Sequence, residues 1–127
     1  MKKTVALAFA LPVLLAACAP AAQAPEYVQT GIYQASCDQV LAEVARKGPS
    51  LTPAPANLWG KYKVVSRAPA SVTLQADHLL ESLRVTSVWT CEDQGNQVLL
   101  KMASRGQGPE ATAYSFKTMY EALPFIK

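Results

Sequence analysis

Ser36-Cys37-Asp38-Gln39-Val40-Leu41-Ala42-Glu43-Val44-Ala45-Arg46-Lys47-Gly48-Pro49 is the stretch on which the reading of this chain turns. Ser36 followed three residues later by Gln39 is a capping-box pattern, in which each side chain satisfies a free amide of a helix's first turn. Cys37, Val40, Leu41, Val44 and Ala45 recur at helical spacing on one face, while Asp38, Glu43, Arg46 and Lys47 fall elsewhere. Acid at the start and base at the end complement the helix dipole, and Gly48-Pro49 stops the helix. The pattern predicts an amphipathic helix with a cysteine on its apolar stripe.

Outward from that helix the periodicity changes to two. Upstream, residues 27–35 read as a first strand. Downstream, Pro49, Pro53 and Pro55 punctuate an irregular connection over 48–58, read as a stiff crossover from helix to sheet. Trp59–Arg67 reads as a strand with Tyr62 and Val64 on one face and Lys61, Lys63 and Arg67 on the other. In Ser71–Asp77, Val72, Leu74 and Ala76 alternate with polar residues. Leu83–Cys91 puts Leu83, Val85, Trp89 and Cys91 on one face against Arg84, Thr86 and Thr90. Asp93-Gln94-Gly95-Asn96 carries the Gly and Asn that a hairpin requires, and Val98, Leu100 and Met102 face inward on the last strand, with Lys101 outward. Gly106-Gln107-Gly108 reads as a flexible hinge. Pro109 and Glu110 suit the first turn of a second helix, whose Ala113, Phe116, Met119, Tyr120 and Leu123 share one face.

The order is β-α-β-β-β-β-α. The fold class is α+β: a single antiparallel sheet of four to five strands, covered on one face by two helices, is the natural way to bury these stripes. Cys37 on the helix stripe and Cys91 on the apolar strand face are then placed to form a disulfide that fastens helix to sheet. The element order resembles the helix-grip and TATA-box-binding-protein-like folds, and the small domains of some outer-membrane assembly lipoproteins.

The amino terminus decides where the chain goes. Lys2 and Lys3 precede an apolar segment from Val5 to Leu15, which is about half the roughly 20 residues of a membrane span. It ends in Leu15-Ala16-Ala17-Cys18, which resembles the lipobox of bacterial lipoproteins. The resemblance implies a cleaved signal peptide over 1–17, diacylglycerol on the Cys18 thiol and an N-acyl group on the new terminus. Residues 18–26 form a lipidated tether, and 27–127 form one domain. Ala19, in place of Asp, implies transfer to the outer membrane by the enterobacterial sorting rule, with the domain most often in the periplasm and surface display as the alternative. Once Cys18 is assigned to lipid, Cys37 and Cys91 remain as an even pair in an oxidising compartment.

Charge excludes one class of partner. The 12 basic residues, less Lys2 and Lys3, face 9 acidic ones, so the mature chain is close to +1. That is no electrostatic footprint for nucleic acid. Membrane attachment comes from acyl chains, at about 0.8 kcal/mol per buried methylene.

Candidate chemistry is sparse. His78, the only histidine, stands near Glu81 and Ser82, which suggests a metal pair or a nucleophile and base. A zinc site needs three or four protein ligands and a hydrolase needs an orienting group and oxyanion donors, so Asp77-His78 reads as a polar turn. Glu92 and Asp93 are neighbours that point to opposite sides of a strand and read as solvated turn acids. Trp59, Trp89 and the tyrosines read as core, although the parity of Trp59 allows it a place on the open face. Lys61, Lys63, Arg67, Arg84 and Lys101 form the best surface candidate: a mildly basic open face for anionic lipid, lipopolysaccharide or an acidic envelope protein.

The expectation is a non-catalytic, membrane-anchored envelope lipoprotein with a binding or assembly role. It needs no metal or cofactor beyond the covalent lipid. Two alternatives follow. A carrier of a small hydrophobic ligand, as helix-grip domains can be, requires a cavity of at least about 300 Å³ between sheet and helices. An inhibitor of a cell-wall-degrading enzyme would resemble the small disulfide-bonded lipoproteins that block lysozyme, whose cysteine-flanking motif is not found here.

Overall fold

The computed structural model describes residues 24–127. The expected signal peptide, Cys18 and most of the expected tether lie outside them. The chain runs β1 (Glu26–Tyr33), α1 (Cys37–Lys47), β2 (Lys63–Ala68), β3 (Ser71–Asp77), β4 (Arg84–Asp93), β5 (Val98–Arg105) and α2 (Pro109–Ala122), with a single 3-10 turn at Gly48–Ser50. All pairings are antiparallel, in the order β1-β5-β4-β3-β2. This is an α+β fold with one five-stranded sheet and two helices.

The capping box closes α1 as its sequence requires. The Ser36 hydroxyl accepts from Gln39 N at 3.3 Å, and Gln39 Oε1 accepts from Ser36 N at 3.3 Å. Val40, Leu41 and Val44 are buried against the sheet face that carries Val72, Leu74, Val85, Trp89, Leu100 and Met102. Each such side chain, removed from water, contributes roughly 1.5–3 kcal/mol. On α2, Phe116 stacks between Trp89 of β4 and Tyr120, with ring centroids 5.7 and 5.5 Å away. Tyr33 of β1 extends the aromatic series to Tyr120 and Phe125 at 4.6 and 5.5 Å. This ladder fills the space between α2 and the sheet. At Gly31 the chain comes too close to the Tyr120 ring for a side chain to fit, since an added Cβ would lie 2.8 Å from Cδ1.

The disulfide joins Cys37, the first residue of α1, to Cys91 on β4, with Cα atoms 5.5 Å apart across 54 residues of chain. The Asp93–Val98 hairpin turns at Gly95, whose φ is +93° and whose amide donates to Asp93 Oδ1 at 3.0 Å.

Three expectations are corrected. The strand drawn from Trp59 begins only at Lys63, because Trp59 makes an isolated bridge with His78 and sits buried against its ring at 4.9 Å. Leu83 lies outside β4 and is exposed. The Gly106-Gln107-Gly108 hinge is a locked junction: Gln107 is buried and its side chain is hydrogen-bonded on both sides of the fold.

Candidate functional site

A wide apolar concavity lies outside the sheet–helix interior. Segment 50–56, rich in proline and alanine, stands away from the outer surface of α2 and leaves a cleft of about 680 Å³. Leu51, Pro53, Ala54 and Pro55 form one wall; Ala111, Tyr114 and Thr118 form the other, with Glu110 at the rim. Tyr114 is 65% exposed, which is unusual for a large aromatic and leaves its ring available to an occupant.

A buried polar network ties the two walls to each other at the floor of the cleft. Ala54 N donates to Ser115 Oγ at 3.0 Å, and Gln107 Nε2 donates to Ala54 O at 2.9 Å and to Ser115 Oγ at 3.1 Å. Ser104 Oγ on β5 donates to Gln107 Oε1 at 3.4 Å. The far end of the loop is tied back by Tyr62 N, which donates to Leu51 O at 2.9 Å. Tyr62 lies beside the same network, and burial pushes its hydroxyl up to about 12, opposed in part by the neighbouring Ser115 side chain. Among the described residues no buried side-chain polar atom lacks a partner, so the network adds rigidity without the cost of an orphaned group. A preformed, mostly apolar cleft of this size falls within the range of small-ligand sites, about 300–1,000 Å³.

Periodicity over single elements did not reveal this cleft. It marked Ala113 and Phe116 on α2 but passed over Ser115 and Thr112, which are buried polar residues. The available signal was Gln107: a long polar side chain set between two glycines is one whose backbone is shaped to bring it inward.

The five basic residues singled out from the sequence do not form one face. β2 carries a bulge: Lys63 pairs with Gln75 and Val64 with Leu74, but Ser66 pairs with Thr73 and Arg67 with Val72. The extra residue inverts parity, so Arg67 shares the helix-covered side with Val72 and lies beside Asp38 and Leu41 of α1. Arg84 is bound to Asp77, with Nε to Oδ1 at 2.8 Å, and this hydrogen bond holds the Asp77 carboxyl below its usual range. Lys61 precedes the strand. Lys63 and Lys101 remain on the open face, two strands and more apart.

His78 is occupied by structure. Its Nδ1 accepts from Leu80 N at 3.1 Å and Glu81 N at 3.0 Å, which fixes a tautomer protonated at Nε2. Glu81 and Ser82 lie exposed on the same turn. Asp93 serves the hairpin turn through Gly95 N. Among the described residues no three His, Cys, Asp or Glu side chains gather as metal ligands.

No protein-family model and no curated protein matches the chain. Solved structures share its architecture. The crystal structure of CalU16 from Micromonospora echinospora is 11% identical, with a TM-score of 0.52 over 77% of this chain and 73% of its own. The solution structure of a protein from Arthrobacter aurescens is 9% identical, with a TM-score of 0.50 over 77% and 83%. The crystal structure of Ara h 8.0201 is 10% identical, with a TM-score of 0.42 over 76% and 90%. At these identities the likeness concerns fold alone, and function has to be argued from the residues of the cleft and the surface.

Proposed function

We propose that the protein is a non-catalytic lipoprotein of the cell envelope, held by lipid on Cys18, whose domain binds another envelope component through the cleft between segment 50–56 and α2. One observation carries the reading. The bond between Cys37 and Cys91 accounts for both downstream cysteines, so the remaining one is the lipobox Cys18. A disulfide of this kind belongs to an exported protein, and export is what the residues before Cys18 encode. Helix-grip element order supplies a rigid scaffold for a cleft on its outer surface.

Mass spectrometry of the mature amino terminus tests the anchor: an acylated Cys18 is expected, and an unmodified terminus overturns it. A photo-crosslinking residue at Tyr114, activated in the native envelope, tests the cleft. A discrete adduct is expected, and the absence of any adduct removes the cleft as the binding surface.

A second reading is favoured by the cleft's volume. At about 680 Å³ it exceeds the roughly 300 Å³ that a small ligand requires, and its lining is chiefly apolar. The place expected for such a ligand, between sheet and helices, is filled by the aromatic ladder, so a carrier would have to hold its molecule in this outer cleft instead. Native mass spectrometry of protein purified from its own envelope distinguishes the two: a retained small molecule of constant mass favours the carrier.

A further inference from the structure

The turn between β3 and β4 exposes three leucines within five residues: Leu79 is 60%, Leu80 84% and Leu83 53% exposed. Single apolar residues on a surface are ordinary, but a cluster on one projecting turn is not.

The position of the turn is set by the register. Gln75, Thr86, Arg105 and Glu26 form one row across β3, β4, β5 and β1. Residues 78–83 project beyond that row, at the same end of the sheet where β1 begins. Arg105 Nη1 donates to Ala24 O at 2.8 Å, which holds the incoming chain at this end. Adjacent strands lie about 4.8 Å apart, so the leucine turn stands roughly 10–15 Å from the start of β1. Covalent geometry limits the six steps from Cys18 to Ala24 to about 20 Å. A lipid on Cys18 therefore brings this end of the domain to the bilayer.

The turn is built to leave water. His78 N donates to Leu83 O at 2.9 Å and Leu79 N to Leu58 O at 2.8 Å, while Leu80 N and Glu81 N both donate to His78 Nδ1. Four successive amides are thus satisfied within the protein, so entering a less polar medium uncovers none of them. Around the turn the charges are mixed, as in a zwitterionic headgroup layer. Lys61 and Lys63 run beside it, since Gly60 N donates to Asp77 O at 2.9 Å, Arg84 at its base is paired with Asp77, and Glu81 is exposed on the turn itself.

We propose that the leucine turn is a second membrane contact, inserting into the headgroup–acyl boundary of the leaflet that holds the Cys18 lipid. This rests on the anchored reading above and adds to it an orientation: the end carrying the turn faces the lipid, and the Gly95 hairpin faces away. A bilayer is the occupant the anchor itself supplies, because a lipid on Cys18 holds this end of the domain within about 20 Å of the leaflet.

The test uses the chain from Cys18 onward on vesicles of phosphatidylethanolamine and phosphatidylglycerol, with or without bromine on the acyl chains. The chain is used as isolated or, if its Cys18 proves bare, coupled through that thiol to a maleimide-headgroup lipid. Failure of the anchor and failure of the turn therefore read out separately. Leu80→Trp and, at the opposite hairpin, Gln94→Trp each add an exposed indole to the buried Trp59 and Trp89. Brominated chains are expected to quench the added emission of Leu80→Trp about twofold, the depth expected of an apolar segment buried about 5–10 Å at the boundary, and to leave that of Gln94→Trp unchanged. Equal quenching at the two positions, or none at Leu80→Trp on vesicles that retain the chain, overturns the proposal.

Discussion

Ala54 N donates to the hydroxyl of Ser115 at 3.0 Å, a contact between residues 61 apart in sequence that sets the width of the cleft. Ser115 also accepts from Gln107. Ser115→Ala leaves the Ala54 amide without its acceptor, while Gln107 Nε2 keeps its bond to Ala54 O, at a cost of about 1–3 kcal/mol. Urea unfolding is expected to show that loss, and limited proteolysis should cut segment 50–56 faster than in the parent chain.

Reduction of Cys37–Cys91, or replacement of both residues by alanine, releases a loop of 54 residues. On the chain-entropy account the folded state then loses roughly 4 kcal/mol, a large share of the 5–15 kcal/mol typical of a domain. Denaturant midpoints measured with and without a thiol reductant check this. α1 is expected to lose amide-exchange protection first, because the bond fastens its first turn to β4.

Gly106→Ala and Gly95→Ala separate strain from collision. Both glycines have positive φ, at +101° and +93°. A side chain at Gly95 meets nothing within 4 Å, whereas at Gly106 it runs into the Arg84 carbonyl. Gly95→Ala is expected to cost about 1 kcal/mol and Gly106→Ala clearly more, as read from thermal unfolding. Gly106 begins the junction that places Gln107, so its substitution should also weaken binding at the cleft.

Alkaline pH provides a fourth check. Burial raises the Tyr62 hydroxyl to about 12 and, with the neighbouring Tyr120, raises that of Tyr33 as well. A tyrosine ordinarily ionises near 10. Between these values the unfolded chain has released protons that the folded chain retains. Stability is therefore intact below pH 10 and falls as pH rises toward 12, with a slope approaching about 1.4 kcal/mol per pH unit for each such group. Tyr62→Phe is expected to flatten that slope in pH-dependent denaturation.

Much of the architecture was legible along the chain, for local reasons. The Ser36 and Gln39 cap, the stripe of Val40, Leu41 and Val44, the alternation through Val72, Leu74 and Ala76, and the Gly95 turn each express a steric or hydrogen-bonding preference that operates within a few residues. The agreement of two such periods placed Cys37 opposite Cys91. The resemblance of Leu15–Cys18 to a lipobox belongs to the same class of information: it is a linear pattern, and the proposal of an anchor is drawn from it without any fold.

Only the tertiary structure decided what lies between distant segments. One additional residue in β2 turned Arg67 to the helix side, and no alternation rule reveals a bulge before its partner strand is known. Leu83 is exposed where its parity placed it inward, and Trp59 is buried as expected although its parity allowed the open face, because burial depends on which neighbour covers a residue and not on its parity. The cleft, the Gln107 network and the end of the sheet shared by Ala24 and the leucine turn come from segments tens of residues apart. Their positions follow from packing, in which every contact is set by the others, and no short stretch of sequence contains that geometry.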